Sequence, residues 1–220
     1  MKTLLCILCL FAVPSIFAQG FFVHQGLGLE VGFSSINDFS ILSASAGYVL
    51  NGVVEFGLDV KWSSSDENDT TVLGVGPFVG VYPVHQSDTF PLTIRLGAAY
   101  EVDSFGGATY DAFEELLGTA SASVWSVGGA IAHTASVSPT VYLVPIARLS
   151  YTSLTQEFSD VPPEITFEGK SDFETISVEL GIVIQRPNAS FVYVTPSLGL
   201  ADGDAVFGVE VGFILAASKR

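Results

Sequence analysis

The sequence predicts an all-β fold, an antiparallel transmembrane β-barrel of about ten strands, with eight as the second count. Three observations lead there. Apolar side chains recur at every second position through ten segments. Tight and long connections tend to alternate along the chain. The face opposite the apolar one carries glycines and charges. Composition frames the reading: 220 residues are 49% hydrophobic with mean hydropathy +0.51, yet carry a formal net charge of −15. That hydrophobicity excludes disorder, and that charge excludes strong nucleic-acid binding. Beyond the N-terminal segment no apolar run approaches the ~20 residues of a spanning helix, so the hydrophobicity is spent in short strands.

The first element is a segment to be removed. Residues 1–18 place Lys2 before an apolar run from Leu4 to Val13, followed by Pro14, Ser15, Ile16, Phe17 and Ala18. This is the order of a secretory signal, with cleavage expected after Ala18 and a barrel domain over 19–220. Cys6 and Cys9 both lie inside it. The mature chain then has no thiol, which excludes disulfides, thiolate zinc sites and cysteine nucleophiles.

Strands are expected at 26–35, 39–50, 53–63, 71–82, 90–102, 120–133, 141–154, 173–185, 191–200 and 205–215. In the first, Leu27, Leu29, Val31 and Phe33 oppose Gly26, Gly28, Glu30 and Gly32. In the third, Val54, Phe56, Leu58, Val60 and Trp62 oppose Glu55, Gly57, Asp59 and Lys61. In the fifth, Leu92, Ile94, Leu96, Ala98 and Tyr100 oppose Thr93, Arg95, Gly97, Ala99 and Glu101. Asn51-Gly52 is the strongest hairpin signal, and 84–89, 134–140 and 186–190 are further tight turns. The stretches 63–70, 103–119 and 155–172 are long, while 34–38 and 201–204 on the same side are short. Pro77, Pro145 and Pro196 fall inside strands, where each removes a ladder donor. Bulges or strand breaks are expected there, and two early endings would favour eight strands.

Nine charges share the non-apolar face: Glu30, Glu55, Asp59, Lys61, Arg95, Glu101, Arg148, Glu179 and Glu210. Facing lipid at the midplane, each would cost ~2 kcal/mol or more. Their sum exceeds a typical stability of ~5–15 kcal/mol, so in a membrane they must point into the lumen. A barrel of about ten strands is near the size that fills its own interior, so the charges read as a largely plugged ion-pair network. A narrow cation-preferring path is the alternative, because six are acids and three are bases.

The remaining acids are lopsided. Of 23 acidic residues, sixteen outside the lumen set belong to the long-loop side: Asp38, Asp66, Glu67, Asp69, Asp103, Asp111, Glu114, Glu115, Glu157, Asp160, Glu164, Glu168, Asp172, Glu174, Asp202 and Asp204. Only Asp88 belongs to the tight-turn side. Long loops of such barrels face outward, so this rim is expected to be extracellular. Asp66, Glu67, Asn68, Asp69 and Thr70 cluster oxygen ligands without EF-hand spacing and read as a solvated loop tip. The segment 110–118 is an amphipathic turn or two whose Phe113, Leu116 and Leu117 share a face, expected to cap the mouth. His24, His85 and His133 map to the tight-turn end on separate strands, and no metal site is assigned to them.

On this pattern the whole mature chain resembles the small bacterial outer-membrane β-barrel proteins, the group that includes opacity-type and outer-membrane-protein-A-like barrels. The best single piece is 206–213. Its Phe207, Val209, Val211 and Phe213 look like the C-terminal insertion signal such barrels present to the assembly machinery, although 214–220 follow it. The resemblance implies a bacterial outer-membrane location and contact with outer-membrane lipid and lipopolysaccharide. It implies a structural or surface-exposed role, with weak small-solute passage or adhesion through the acidic loops and with divalent cations at those loops. No enzymatic activity, catalytic residue, cofactor or metal is expected. Two other classes compete: a barrel lipid hydrolase and a soluble lipocalin-like carrier. His133 with Ser136 has the residue types of a base and nucleophile, but the pair maps to the periplasmic end, away from the outer leaflet. No nucleophile elbow is present.

Overall fold

A computed structural model describes residues 23–36, 39–65, 69–108, 110–111, 114, 119–138, 141–159, 170–185, 190–201 and 204–219. Residues 1–18 lie outside the described residues. Ten long strands form the wall: β1 (Val23–Ile36), β2 (Phe39–Leu50), β3 (Val54–Ser65), β4 (Thr70–Val84), β5 (Thr93–Gly106), β6 (Thr119–Ala132), β8 (Val141–Ser159), β9 (Lys170–Gln185), β10 (Ser190–Ala201) and β11 (Asp204–Lys219). The four-residue β7 (Ala135–Ser138) pairs with the start of β8. Each long strand pairs antiparallel with its neighbours in the chain, β1 meets β11, and β6 pairs with β8, so the sheet closes without edges along its wall. The ten-strand count holds and the eight-strand alternative does not. Among the described residues no helix is long and apolar enough to cross a membrane.

Alternation fixes which way each side chain points. Leu27, Leu29, Val31 and Phe33 of β1, Phe56, Leu58, Val60 and Trp62 of β3, and Ile176, Val178, Leu180 and Ile182 of β9 are exposed on the outer wall. Their strand neighbours face inward. The apolar wall continues around the barrel through Leu96, Val127, Leu149, Leu198 and Val211. Aromatic residues punctuate it: Trp125 packs on Tyr151 at 5.3 Å between centroids, and Tyr48 on Phe56 at 6.1 Å. A soluble carrier would carry this chemistry inside, so the wall is built to be solvated by acyl chains.

The prolines behave differently from the sequence expectation. Neither a bulge nor a strand break occurs at Pro77, Pro145 or Pro196, and all three are exposed on the outer wall. Each keeps an unbroken ladder on one side, through Pro77↔Leu58, Pro145↔Ile182 and Pro196↔Val209. The lost N–H shows only on the other side. β4–β5 lacks rungs between Val75↔Val102 and Phe78↔Ala99, β9–β10 lacks them between Val194↔Ile184 and Ser197↔Gly181, and β6–β8 ends at Ala132↔Ile146. A strand residue points its N–H at one neighbour only, so one missing donor thins one ladder without shifting register. The register shift of β4–β5 falls instead between Val81 and Val84, around Pro83.

Boundaries shift modestly. β5 begins at Thr93 rather than 90 and runs on to Gly106, and β8 runs to Ser159, so strands invade stretches read as loop. Asn51 and Gly52 adopt φ of 53° and 63°, the left-handed pair of a tight hairpin, and Leu50↔Val54 closes it. Gly52→Val should cost about 1–3 kcal/mol by forcing a β-branched residue into that region. A urea midpoint unchanged from wild type in refolded barrel would contradict this.

The start of the 107–118 connection is described in part. Asp111 N–H donates to Gly107 O at 2.9 Å, Tyr110 stacks on Phe105 at 5.9 Å, and Ala120 N–H donates to Tyr110 Oη at 2.9 Å. This ties a turn to the mouth of the barrel. Phe113, Leu116 and Leu117 lie outside the described residues, as do Asp66, Glu67 and Asn68.

Candidate functional site

The lumen is layered. At the tight-turn end, Val49, Tyr82, Ala130, Ala132, Val144, Ile146, Val183 and Ile214 form one buried apolar cluster on inward positions. Near the loop end, Phe39, Ile41 and Val72 are buried inward, and Ala122, Val124 and Leu154 pack with Phe105. A belt of charges and hydroxyls lies between them.

All nine charges read from the sequence point inward. Glu55, only 1% exposed, accepts from Tyr82 Oη at 2.5 Å and from Arg95 Nε at 2.5 Å, and Arg95 Nη2 also contacts it. Lys61 Nζ holds Glu101 at 2.5 Å and Asp59 at 3.6 Å. Arg148 reaches Glu179 at 3.1 Å and Glu210 at 3.5 Å, and Glu30 is near enough to feel its charge. The Glu55 group draws on β3, β4 and β5, the Lys61 group on β3 and β5, and the Arg148 group on β8, β9, β11 and β1, so the clusters tie the wall together across its interior. Hydroxyls fill between them: Ser150 and Ser177 lie 2.5 Å apart across β8 and β9.

Gly makes this density possible at specific places. A Cβ on Gly80 would stand 2.7 Å from Arg95 Nη2 and 2.8 Å from Glu55 Oε1. The side chain that is absent there is the room in which the guanidinium and carboxylate meet. Gly80→Ala on β4 therefore collides with the pair that the flanking strands β3 and β5 bring over it.

One acid is misplaced by the sequence reading. Asp103, assigned to the outer rim, is buried in the lumen two residues along β5 from Glu101. The strand continues past 102, so the alternation carries Asp103 to the inner face. The apolar layers were also missed as lumen elements, although counting by twos from Arg148 along β8 reaches Ile146 and Val144 directly.

The other candidates do not assemble. Tyr82 stacks on His85 at 5.8 Å, and His133 Nδ1 lies 2.7 Å from Pro91 O. Ser136 Oγ donates to Ser138 O at 3.3 Å rather than toward His133. Among the described residues no three His, Cys, Asp or Glu side chains converge to hold a metal. Phe207, Val209, Val211 and Phe213 stand exposed on the outer wall, and β11 continues past them to Lys219, opposite Val23.

Comparison with known proteins agrees at the level of fold. No protein-family model matches the chain, and no curated protein matches it. Solved structures do. The β domain of the Bordetella autotransporter BrkA superposes with a TM-score of 0.52 at 12% identity, over 88% of this chain and 99% of that one. The translocator domain of the autotransporter NalP from Neisseria meningitidis gives 0.53 at 10% identity, over 87% of each. The fold is that of an outer-membrane β-barrel. At these identities the likeness carries architecture alone, and what this outer-membrane barrel does has to be read from its own interior.

Proposed function

We propose that this chain is a plugged barrel of the bacterial outer membrane with a structural or surface-display role and no catalytic activity. On this reading it is exported with residues 1–18 removed and inserted by the assembly machinery through its outward Phe207, Val209, Val211 and Phe213. It presents its acidic loops to the exterior, where divalent cations bridge them to lipopolysaccharide. The observation that carries the reading is the closed apolar layer at the tight-turn end. Water and ions cross a constriction poorly when Val, Ile and Tyr fill it. With the Glu55–Tyr82–Arg95 contacts directly above, the lumen serves as packing rather than passage.

Conductance in a planar bilayer tests this. The wild-type barrel should give no discrete steps, whereas Tyr82→Ala, which removes both an apolar filler and a donor to Glu55, should produce them. Cation-selective steps from the wild type would instead establish the narrow cation-preferring path.

A further inference from the structure

The lumen holds more acid than base, and the excess is concentrated at one place. Lys61 is the sole base among Asp59, Glu101 and Asp103, and its Nζ is committed to Glu101 Oε2 and Asp59 Oδ2. Asp103 is 1% exposed, and among the described residues neither of its carboxylate oxygens has a hydrogen-bond partner. It lies on the same inner face of β5 as Glu101. Glu101 Oε1 and Asp103 Oδ1 both come within 2.6 Å of the point where a Gly74 Cβ would stand, so they converge over the bare backbone of β4.

Two carboxylate oxygens aimed at one place and buried repel each other unless a shared proton or a cation sits between them. Hard divalent cations touch oxygen at ~2.3–2.6 Å, a reach that lets one ion bridge both. We propose that Glu101 and Asp103 seat a hard divalent cation of the calcium class inside the lumen, beside Lys61 and below the loop-end apolar residues. Two carboxylates supply only part of the about six to eight oxygens calcium takes, so water completes the shell and binding is weak, in the ~10⁻⁴–10⁻³ M range of extracellular calcium modules. The site is distinct from the acidic loop tips.

The test uses the refolded mature barrel, stripped with chelator, and calcium chloride as the probe. Calcium should raise the temperature at which heat-modifiable gel mobility is lost by several degrees, and potassium chloride at equal ionic strength should not. The rise should vanish in Asp103→Asn and persist in a variant carrying Asp66→Asn, Glu67→Gln and Asp69→Asn. No rise, an equal rise in potassium, or a rise that survives Asp103→Asn overturns the proposal. Should Asp103→Asn fail to refold, equilibrium dialysis of the loop variant against radioactive calcium decides. A single ion per chain supports the lumen seat, and none bound refutes it.

Discussion

Arg148→Met is expected to destabilise the barrel by about 3–5 kcal/mol, because it leaves carboxylates buried without their counter-charge. Arg148 is the base within reach of Glu179, Glu210 and Glu30, on three other strands. Methionine matches its length and apolar stem, so the loss isolates charge from packing. Adding Glu179→Gln and Glu210→Gln to the variant should recover much of the stability, since the repulsion that Arg148 relieves is then gone. Reversible urea unfolding in lipid vesicles measures both. A single variant with the wild-type midpoint would mean that the cluster is ornamental, and failure of the triple variant to recover would mean that Arg148 acts by geometry instead.

Leu180→Arg tests the other side of the wall. Leu180 is 62% exposed near the middle of β9, and an arginine at bilayer midplane depth costs ~2–4 kcal/mol. The same charge at Glu174, near the loop end of the same face, should cost ~0–1 kcal/mol. This depth dependence is the signature of a lipid-facing surface. Equal and negligible costs at both positions would put the outer wall in water and return the chain to the soluble-carrier class.

Most of the barrel was legible because period-two alternation is a direct image of two differently solvated faces. Glu30, Glu55, Asp59 and Lys61 could be placed inward from their neighbours alone, and Asn51-Gly52 announced its hairpin through the one conformation that the pair favours. What escaped the sequence depends on three dimensions. The apolar layers at Val49, Tyr82, Val144 and Ile214 interrupt the rule that apolar means outward, and only strand register reveals that they share one level. Asp103 was misplaced because nothing local marks where β5 meets its loop. The prolines were over-read: the cost of a missing N–H depends on which neighbour it would have faced, and sequence does not say.

The join between the first and last strands has a consequence for how the cylinder stays shut. Along its inner face each bulky side chain meets a glycine, with Gly28 opposite Ile214, Gly212 opposite Glu30 and Gly32 opposite Glu210, so the two termini can zip together without threading bulk past bulk. The two carboxylates that remain, Glu30 opposite Gly212 and Glu210 opposite Gly32, sit diagonally across the join and push it apart. The Arg148 guanidinium, reaching over from β8, pairs with Glu210 and lends its charge to Glu30, so the barrel is held closed by a clasp anchored away from its own seam.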